Sequence, residues 1–289
     1  MSSVPLVSTA AVGRFVGVAT PLAFQRLSAM PKLAGITSAS QLEVRPTPQM
    51  VSSGVREIDA LTGGLPRGCL TEICGPASSG RTSVLLAALA AATERQEVCA
   101  LVDISDAFNP HSAAAAGVNF KRLLWVRCGG TKQKAGSLRR HRITEEKTEK
   151  NENPRRQIEK PVEQALQVTD LLLRSGGFGL VIIDLGNTPV KMARRIPLAS
   201  WFRFQRAVEH TATVLFVISQ IPCAQTCASL LLKVSGKRLS AVSSQLSAET
   251  PPAHAQLLHG LQVQGELLRS RLERKPAGSV TASFATKVG

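Results

Sequence analysis

The sequence is short of aromatic residues and of long apolar runs. Tyrosine is absent from the 289 residues, and phenylalanine and tryptophan bring the aromatic content to only 4%. No segment reaches the roughly 20 apolar residues that a transmembrane helix needs, so we expect no membrane partner. The hydrophobic content of 44% and the charged content of 19% are ordinary for a soluble globular protein.

The sequence also lacks a disulfide framework. Its six cysteines are scattered, and four of them lie in apolar, strand-like surroundings, where cysteine is usually a small core residue. Cys223 and Cys227 have a spacing within the loose range of zinc sites, but no second pair or histidine follows at a fitting distance. We therefore expect free thiols, no zinc site and a reducing, cytoplasmic environment.

Acidic residues are missing from the first part of the chain, where none occurs before Glu43. This composition, with its basic residues and serines, is typical of a transit peptide. Glycine and proline interrupt the apolar run, however, and no convincing A-x-A cleavage pattern is present. We favour a partner-binding or subunit-binding arm over a targeting segment, and we assign residues 1–50 to an N-terminal arm and linker.

Positive charge is the most pronounced feature that is present. The formal net charge is +15 and the sequence pI is about 10.3. Such a balance favours a polyanionic partner, usually nucleic acid and less often an anionic membrane surface. Because the charge is unevenly spread, we favour nucleic acid over a merely solubilising surface.

Strand and helix patterns alternate after a Pro/Ser-rich linker at residues 45–54. Short apolar runs predict buried strands in "CLTEICG", "VCALVDI", "RLLWVRC", "GLVIIDL" and "ATVLFVISQ". Helical patterns occur in "TSVLLAALAAATERQ" and "PVEQALQVTDLLLRSGG". This alternation predicts an α/β fold with a mostly parallel sheet covered on both faces. Two alternating runs at 261–286 predict a C-terminal β-hairpin.

Residues 130–160 interrupt this pattern. They are almost free of large apolar side chains and rich in basic ones, which makes the segment too polar to bury a core. We interpret it as a disordered basic insertion in a core that spans residues 51–289.

The stretch "GPASSGRTS" follows the phosphate-loop pattern G-x-x-x-x-G-K-[ST] except at one position, where arginine replaces lysine. The candidate nucleotide-binding residues are Gly75, Pro76, Ala77, Ser78, Ser79, Gly80, Arg81, Thr82 and Ser83. Glycines allow backbone N–H groups to point inward, the following helix N-terminus favours anions, and the Thr82 hydroxyl can hold Mg²⁺. Arg81 keeps the charge, but its guanidinium is larger and planar. The pattern favours a weakened nucleotide site, and the alternative is a Gly/Ser turn that caps a helix.

A carboxylate at the end of a hydrophobic strand is the second part of such a site. Asp184 closes "LVIID" and could hold Mg²⁺ together with Thr82. Any exposed strand end can carry an aspartate, so Asp184 is informative only in combination with the loop.

Several longer blocks follow one another in an order that is typical of one family. The blocks are "SSGVREIDALTGGLPRGCLTEICGPASSGRTSVLL", "CALVDISDAFNPHSAAAAGVNFKRLLWV", "EQALQVTDLLLRSGGFGLVIIDL" and "ATVLFVISQIP". Together they resemble the bacterial RecA recombinase core. The resemblance covers about residues 50–130 and 160–222, and more faintly 230–286. It implies a RecA-like P-loop ATPase core that uses ATP and Mg²⁺.

The resemblance implies roles at the matching positions. Residues 75–82 match the phosphate loop, and Asp184 matches the aspartate associated with magnesium. Gln220 matches the glutamine that senses the terminal phosphate and signals to the DNA-binding loop after it. These positions support ATP binding.

Three departures from the family pattern argue against efficient hydrolysis. Arg81 replaces the lysine, and Ser105 stands where the family has the glutamate that activates the attacking water. Serine is not a competent general base near neutral pH, and the adjacent Asp106 should point to the opposite side of the strand. Ser112 replaces a tyrosine that stacks on adenine, and the neighbouring His111 is better explained as a solvated loop residue.

The expected DNA-binding loops also differ from the family. The first lies within "GNTPVKMARRIPLAS", where Lys191, Arg194 and Arg195 could meet phosphates; the alternative is a solvated basic loop. The second, "CAQTCASLLLKVSGK", lacks the family's glycine-rich character, so its role in binding DNA is doubtful. Three aromatic residues are expected to pack as helix core instead of stacking on bases, namely Trp201, Phe202 and Phe204.

A degenerate RecA-like core with a basic insertion resembles the mutasome accessory proteins called ImuA. Their role in SOS-induced translesion synthesis implies single-stranded DNA and a translesion polymerase or related repair protein as partners, with self-association as a further expectation. One alternative is a divergent DNA-dependent ATPase recombinase that pairs DNA strands. Another is an ATP-binding signalling protein without a DNA role. The three departures favour the accessory function, and the net charge favours DNA.

Overall fold

The structure is a computed structural model that describes residues 47–128, 154–239, 260–272 and 281–287. The expectations for the arm at 1–46 and for positions 129–153 of the basic insertion lie outside these ranges. Within the ranges given, no helix combines the length and the apolar character that crossing a bilayer requires.

Strands and helices alternate along the described chain. The strands are β1 (Met50–Val51), β2 (Leu65–Pro66), β3 (Cys69–Cys74), β4 (Cys99–Asp103), β5 (Leu123–Arg127), β6 (Leu180–Asp184), β7 (Val214–Ser219), β8 (Leu230–Leu239), β9 (Gly260–Ser270) and β10 (Thr281–Lys287). The α-helices are α1 (Arg56–Thr62), α2 (Arg81–Glu94), α3 (Pro110–Ala115), α4 (Pro154–Ser175), α5 (Val190–Ala193) and α6 (Leu198–Val208). Each strand predicted from an apolar run is present, but the expectation that β5 is buried is wrong, because it lies at the edge of the sheet and Leu124 is 45% exposed. Strand β8 lies in a segment expected to form loops.

Eight of these strands form one sheet in the order β10-β9-β8-β3-β7-β6-β4-β5. The strands from β8 to β5 are parallel, whereas β9 pairs antiparallel with both β8 and β10. The prediction of a mostly parallel α/β sheet with a C-terminal hairpin is confirmed. Because parallel strands place their carboxyl ends at one edge, the residues that follow β3, β4, β6 and β7 meet there.

Two hydrophobic cores cover the two faces of the sheet. Successive strand residues point to opposite faces, so Ile182 joins the core formed with α1 and α2, and Ile183 joins the core formed with α4 and α6. Both side chains are fully buried. Burial on both faces explains why β6 is a nearly continuous apolar run in the sequence.

Helix α4 begins earlier than the sequence pattern predicts. It starts at Pro154 and contains Pro161 in its interior, whereas the pattern began the helix at Pro161 and left residues up to 160 in the polar insertion. Residues 154–160 are mostly Arg, Gln, Glu and Lys, which are good helix formers. Local propensity therefore extends the helix into a segment that a search for core residues overlooks.

The aromatic residues of α6 divide between core and surface. Trp201 and Phe204 are completely buried, and their rings meet edge to face with centroids 6.0 Å apart. Phe202 is 46% exposed, so the expectation that it packs in the core is wrong. Residues three apart share a helix face, whereas the intervening residue is rotated away from it.

Candidate functional site

The phosphate-loop segment connects β3 to α2 at the carboxyl edge of the sheet. The N–H of Gly75 donates to the Ser219 carbonyl at 3.2 Å, which ties the start of the loop to β7. Gly80 is the N-cap of α2, with φ of 91°, and no side chain caps the helix. The first-turn N–H groups of a helix have no intrahelical acceptor, so this uncapped end can accept an anion.

Two glycines are required by the close approach of neighbouring strands. A Cβ atom at Gly75 would overlap the carbonyl oxygen of Val234 in β8, and one at Gly80 would overlap the side chain of Val263 in β9. The left-handed backbone of Gly80 disfavours any other residue as well. The loop is therefore held tightly against the C-terminal strands.

The Ser79 hydroxyl is buried inside the loop without a partner. Its side chain is 1% exposed, and its Oγ makes no hydrogen bond to the described residues. Leaving a buried hydroxyl unpaired costs about 1–3 kcal/mol, and such groups are normally satisfied by a ligand or by water. A group with hydrogen-bonding oxygens fits the loop.

Arg81 reaches from the first turn of α2 to the end of β6. Its side chain is 8% exposed, and its Nη1 donates to the Gly186 carbonyl at 3.1 Å. Burial lowers the pKa of this guanidinium, although the negative charge of Asp184 opposes the shift. The side chain remains a cation because arginine does not lose its proton in proteins.

Asp184 lies beside the same carbonyl. Its Oδ1 accepts the N–H of Gly186 at 2.7 Å. Burial raises the pKa of this carboxyl, while the Gly186 hydrogen bond and the Arg81 charge oppose the rise. Thr82, the other expected magnesium ligand, is exposed in the first turn of α2. Of the two expected magnesium ligands, Thr82 is therefore exposed to solvent, whereas burial affects Asp184.

The segment after β4 carries Ser105 and Asp106. Ser105 is exposed, and Asp106 adopts a left-handed backbone with φ of 55°. The Asp106 carboxylate accepts two hydrogen bonds from Arg127, whose Nε lies at 2.6 Å. These hydrogen bonds lower the pKa of Asp106, which makes the carboxylate a weaker base. Arg127 in turn lies 4.9 Å above the Trp125 ring.

The buried Asp103 at the end of β4 fixes the start of the same loop. It accepts the N–H groups of Ala107 at 3.1 Å and Phe108 at 2.9 Å, and the Trp125 indole N–H at 3.3 Å. Its oxygens are thus engaged by protein donors.

Farther along, His111 and Ser112 are both exposed at the start of α3, where their N–H groups donate to the capping side chain of Asn109.

Gln220 connects the end of β7 to the segment that follows β6. Its Nε2 donates to the Thr188 carbonyl at 3.2 Å. The three basic residues expected to meet DNA phosphates come soon after Thr188 and are exposed, namely Lys191, Arg194 and Arg195. The resemblance implies that Gln220 signals to the loop that follows it in the sequence. The observed hydrogen bond instead joins Gln220 to Thr188, next to the basic segment that follows β6.

Glu72 is a buried residue that the sequence reading did not single out. It is 0% exposed in β3 and accepts four hydrogen bonds. The donors are the Ser219 hydroxyl at 3.1 Å, the N–H and the thiol of Cys223 at 2.7 and 3.1 Å, and the Ala224 N–H at 3.1 Å. Burial, together with the charge of Glu72, raises the pKa of the Cys223 thiol, which therefore stays protonated and can donate. Glu72 anchors the segment that follows Gln220.

Gly186 was also missed, although it contacts both Arg81 and Asp184. The only local signal is its place two residues after an aspartate, a spacing that suits a side chain to backbone turn. Its contact with Arg81 joins residues 105 positions apart and has no local signal.

Comparison with known proteins gives a consistent result. A family model described as the RecA N-terminal domain matches residues 25–136. Protein RecA of Kineococcus radiotolerans is 29% identical over 213 residues, which are 68% of this chain and 52% of that protein. Protein RecA of Corynebacterium jeikeium is 29% identical over 195 residues, or 62% and 44% of the two chains, and that of Corynebacterium aurimucosum is 28% identical over 193 residues, or 61% and 43%.

These similarities agree with the fold. The parallel sheet, its flanking helices and the matches together show a RecA-like core. The chain spans about half the length of the curated relatives it matches.

Proposed function

We propose that this chain is a RecA-like protein of DNA repair and recombination that binds ATP in the loop at residues 75–82. It acts through contacts in the SOS damage response, with little or no ATP hydrolysis. The observation that carries the proposal is the buried, unpartnered hydroxyl of Ser79 within a loop that opens onto an uncapped helix. Phosphate oxygens would satisfy both the hydroxyl and the first-turn N–H groups.

Slow hydrolysis follows from the carboxylates near the loop. A general base must reach the attacking water with a free acceptor oxygen. Both oxygens of Asp103 accept backbone N–H groups, and both oxygens of Asp106 accept hydrogen bonds from Arg127. Asp184 has one oxygen engaged by Gly186, and the Arg81 charge opposes proton uptake by this carboxylate. Ser105, at the position where the family has its glutamate, has no carboxylate. Binding without turnover suits a protein that works as an accessory factor.

Single-stranded DNA is the proposed polyanionic partner. The exposed side chains of Lys191, Arg194 and Arg195 lie beyond the carboxyl end of β6, on the same edge of the sheet as the loop. A net charge of +15 supports attraction to phosphates.

A translesion polymerase or a related repair protein is the second proposed partner, with self-association as a further contact. The proposed organisation is an arm and linker at 1–50 and a core at 51–289 that contains the basic insertion. The support for the accessory function is chemical, because Arg81 and Ser105 replace the lysine and the glutamate that the recombinase pattern requires.

A divergent DNA-dependent ATPase recombinase is the alternative function. The observation that favours it is the hydrogen bond from Gln220 to Thr188. It joins the end of β7 to the basic segment after β6, and such a contact could couple nucleotide binding to DNA contacts. The two functions differ in whether DNA stimulates turnover.

Steady-state ATP hydrolysis, measured with and without single-stranded DNA, tests the proposal. We expect the natural protein to bind ATP without turnover above background. The double substitution Arg81→Lys with Ser105→Glu should raise turnover by about tenfold or more, because a positioned general base typically contributes about 10²–10⁴.

A matched control for that experiment is Arg206→Lys with Ser175→Glu. Arg206 and Ser175 are exposed, and Ser175 precedes β6 at the opposite edge of the sheet, so turnover should not change. Turnover by the natural protein that single-stranded DNA stimulates would favour the recombinase instead. A failure to bind any nucleoside triphosphate would overturn the proposed site.

Salt dependence tests the DNA contacts. Replacing Lys191 by Gln should weaken binding to single-stranded DNA and reduce the slope of log K against log salt concentration by about 0.7, the value for one phosphate contact. The same substitution at Arg194 should have a similar effect. Fluorescence anisotropy of a labelled oligonucleotide over a salt series measures both quantities.

Lys121→Gln is the control for the salt series. Lys121 is exposed and precedes β5, so it lies at the amino edge of the sheet, away from the loop. The substitution Lys121→Gln should leave the slope of log K against log salt concentration unchanged. Equal slopes for Lys191→Gln and the natural protein would show that the segment after β6 is a solvated basic loop.

A further inference from the structure

The Arg81 side chain and the Asp184 carboxylate border one small volume. A Cβ atom placed on Gly186 would lie 2.8 Å from Asp184 Oδ1, 3.4 Å from Arg81 Nη1 and 3.7 Å from Arg81 Cζ. Gly186 bonds to both, since its N–H donates to Asp184 and its carbonyl accepts from Arg81. A fixed positive charge therefore lies beside the carboxylate that was expected to hold magnesium.

This arrangement does not fit a magnesium site built from Thr82 and Asp184. The Thr82 hydroxyl is exposed in the first turn of α2, but one oxygen of Asp184 is already engaged by Gly186. A divalent cation beside Asp184 would also be repelled by the Arg81 guanidinium at short range. Magnesium prefers near-ideal octahedral oxygen coordination and gives up its water reluctantly, so it gains little from this pair.

We propose that Arg81 takes the place of the magnesium ion, so that the loop binds a metal-free nucleoside triphosphate. This inference rests on the proposed nucleotide binding and specifies the form of the ligand. The guanidinium has five N–H donors in a rigid fork, and its bond to Gly186 uses one of them. The others can donate to phosphate oxygens, while the same charge compensates Asp184.

The planar arrangement of donors on the guanidinium explains why this role requires arginine. Lysine presents a compact ammonium on a flexible four-carbon stem and cannot bond in two directions through a planar fork. With lysine at position 81, the positive charge is a compact ammonium. This ammonium can move away from Gly186 and Asp184 toward the phosphate loop. The Asp184 carboxylate then becomes accessible to a cation.

Binding of a fluorescent ATP analogue, followed by anisotropy in excess EDTA and in excess Mg²⁺, tests the inference on the 289-residue chain. The natural protein should bind with affinities that differ by less than about threefold between the two conditions. Arg81→Lys should bind at least about tenfold more tightly with Mg²⁺ than with EDTA, because the carboxylate is then available to the cation. Circular dichroism of both proteins establishes that they are folded.

Arg81→Gln adds a second test that does not depend on the lysine variant. Removing the built-in cation should weaken metal-free binding by about tenfold or more, and Mg²⁺ should restore part of the loss. Binding of the natural protein only in the presence of Mg²⁺ would overturn this inference and leave the proposed nucleotide site intact. Absence of binding in both conditions would overturn the proposed function itself.

Discussion

Replacing Glu72 by alanine is expected to lower the free energy of unfolding by about 3–5 kcal/mol, the largest effect expected of any single substitution near the loop. Glu72 is completely buried and accepts hydrogen bonds from Ser219, Cys223 and Ala224. Without it, two backbone N–H groups and a thiol lose their acceptor inside the core, whereas the Ser219 hydroxyl keeps the Ile221 carbonyl as an acceptor at 2.8 Å. Each unpaired group costs about 1–3 kcal/mol before the structure relaxes. Urea denaturation followed by circular dichroism measures the change.

Two further variants distinguish loss of the acceptor from loss of packing. Glu72→Gln keeps the shape but faces backbone N–H donors with an amide NH₂, so it should also destabilise the protein, by about 1–3 kcal/mol. Glu94→Ala alters an exposed glutamate near the end of α2 and should change stability by less than about 0.5 kcal/mol. A loss below about 1 kcal/mol for Glu72→Ala would show that the segment after Gln220 is held by other contacts.

Gly80→Ala is expected to destabilise the protein by about 2–5 kcal/mol and to abolish nucleotide binding. A left-handed backbone costs a non-glycine residue about 1–2 kcal/mol. Overlap of the added Cβ with Val263 adds about 1–3 kcal/mol of overpacking. Relief of the overlap displaces the loop from β9, and with it the N–H groups at the start of α2. Thermal unfolding and anisotropy of a fluorescent ATP analogue measure the two effects.

Gly117→Ala is a closely matched control for Gly80→Ala. Gly117 has φ of 88° against 91° for Gly80, but a Cβ there has no neighbour within 4 Å. It should therefore show the backbone cost of about 1–2 kcal/mol alone. The double variant Gly80→Ala with Val263→Ala should recover at least about 1 kcal/mol relative to the sum of the single changes. Equal costs at the two glycines would mean that β9 does not confine the loop.

Local patterns in the sequence predict the elements of the fold well. The run "LVIID" predicts a buried strand, and β6 spans Leu180–Asp184. Such runs are informative because a parallel strand that is covered on both faces consists mostly of apolar residues. The glycine spacing of the loop is informative for a related reason, since close approach of the backbone to β8 and β9 excludes a Cβ at Gly75 and Gly80.

Local patterns are less reliable where a helix meets solvent. Phe202 is apolar and adjacent to Trp201, yet it faces solvent because its direction is set by rotation about the helix axis. The early start of α4 at Pro154 has a similar origin. There, helix propensity determines the structure in residues that contribute nothing to a core, and hydrophobic periodicity has no signal.

The sequence alone predicted five buried strands, two helices, the C-terminal hairpin and a phosphate-loop pattern, and it shows that position 105 is serine instead of glutamate. It did not predict the strand β8. The tertiary structure decided that Arg81 bonds to Gly186, that Gln220 contacts Thr188, and that Glu72 holds Cys223, across a separation of 151 residues. These contacts depend on β7 lying between β3 and β6 in the sheet. Local sequence encodes which segments are strands, but neighbours within a sheet are chosen by the packing of the whole chain, and side chains such as Arg81 then bond to whichever groups that packing brings within reach.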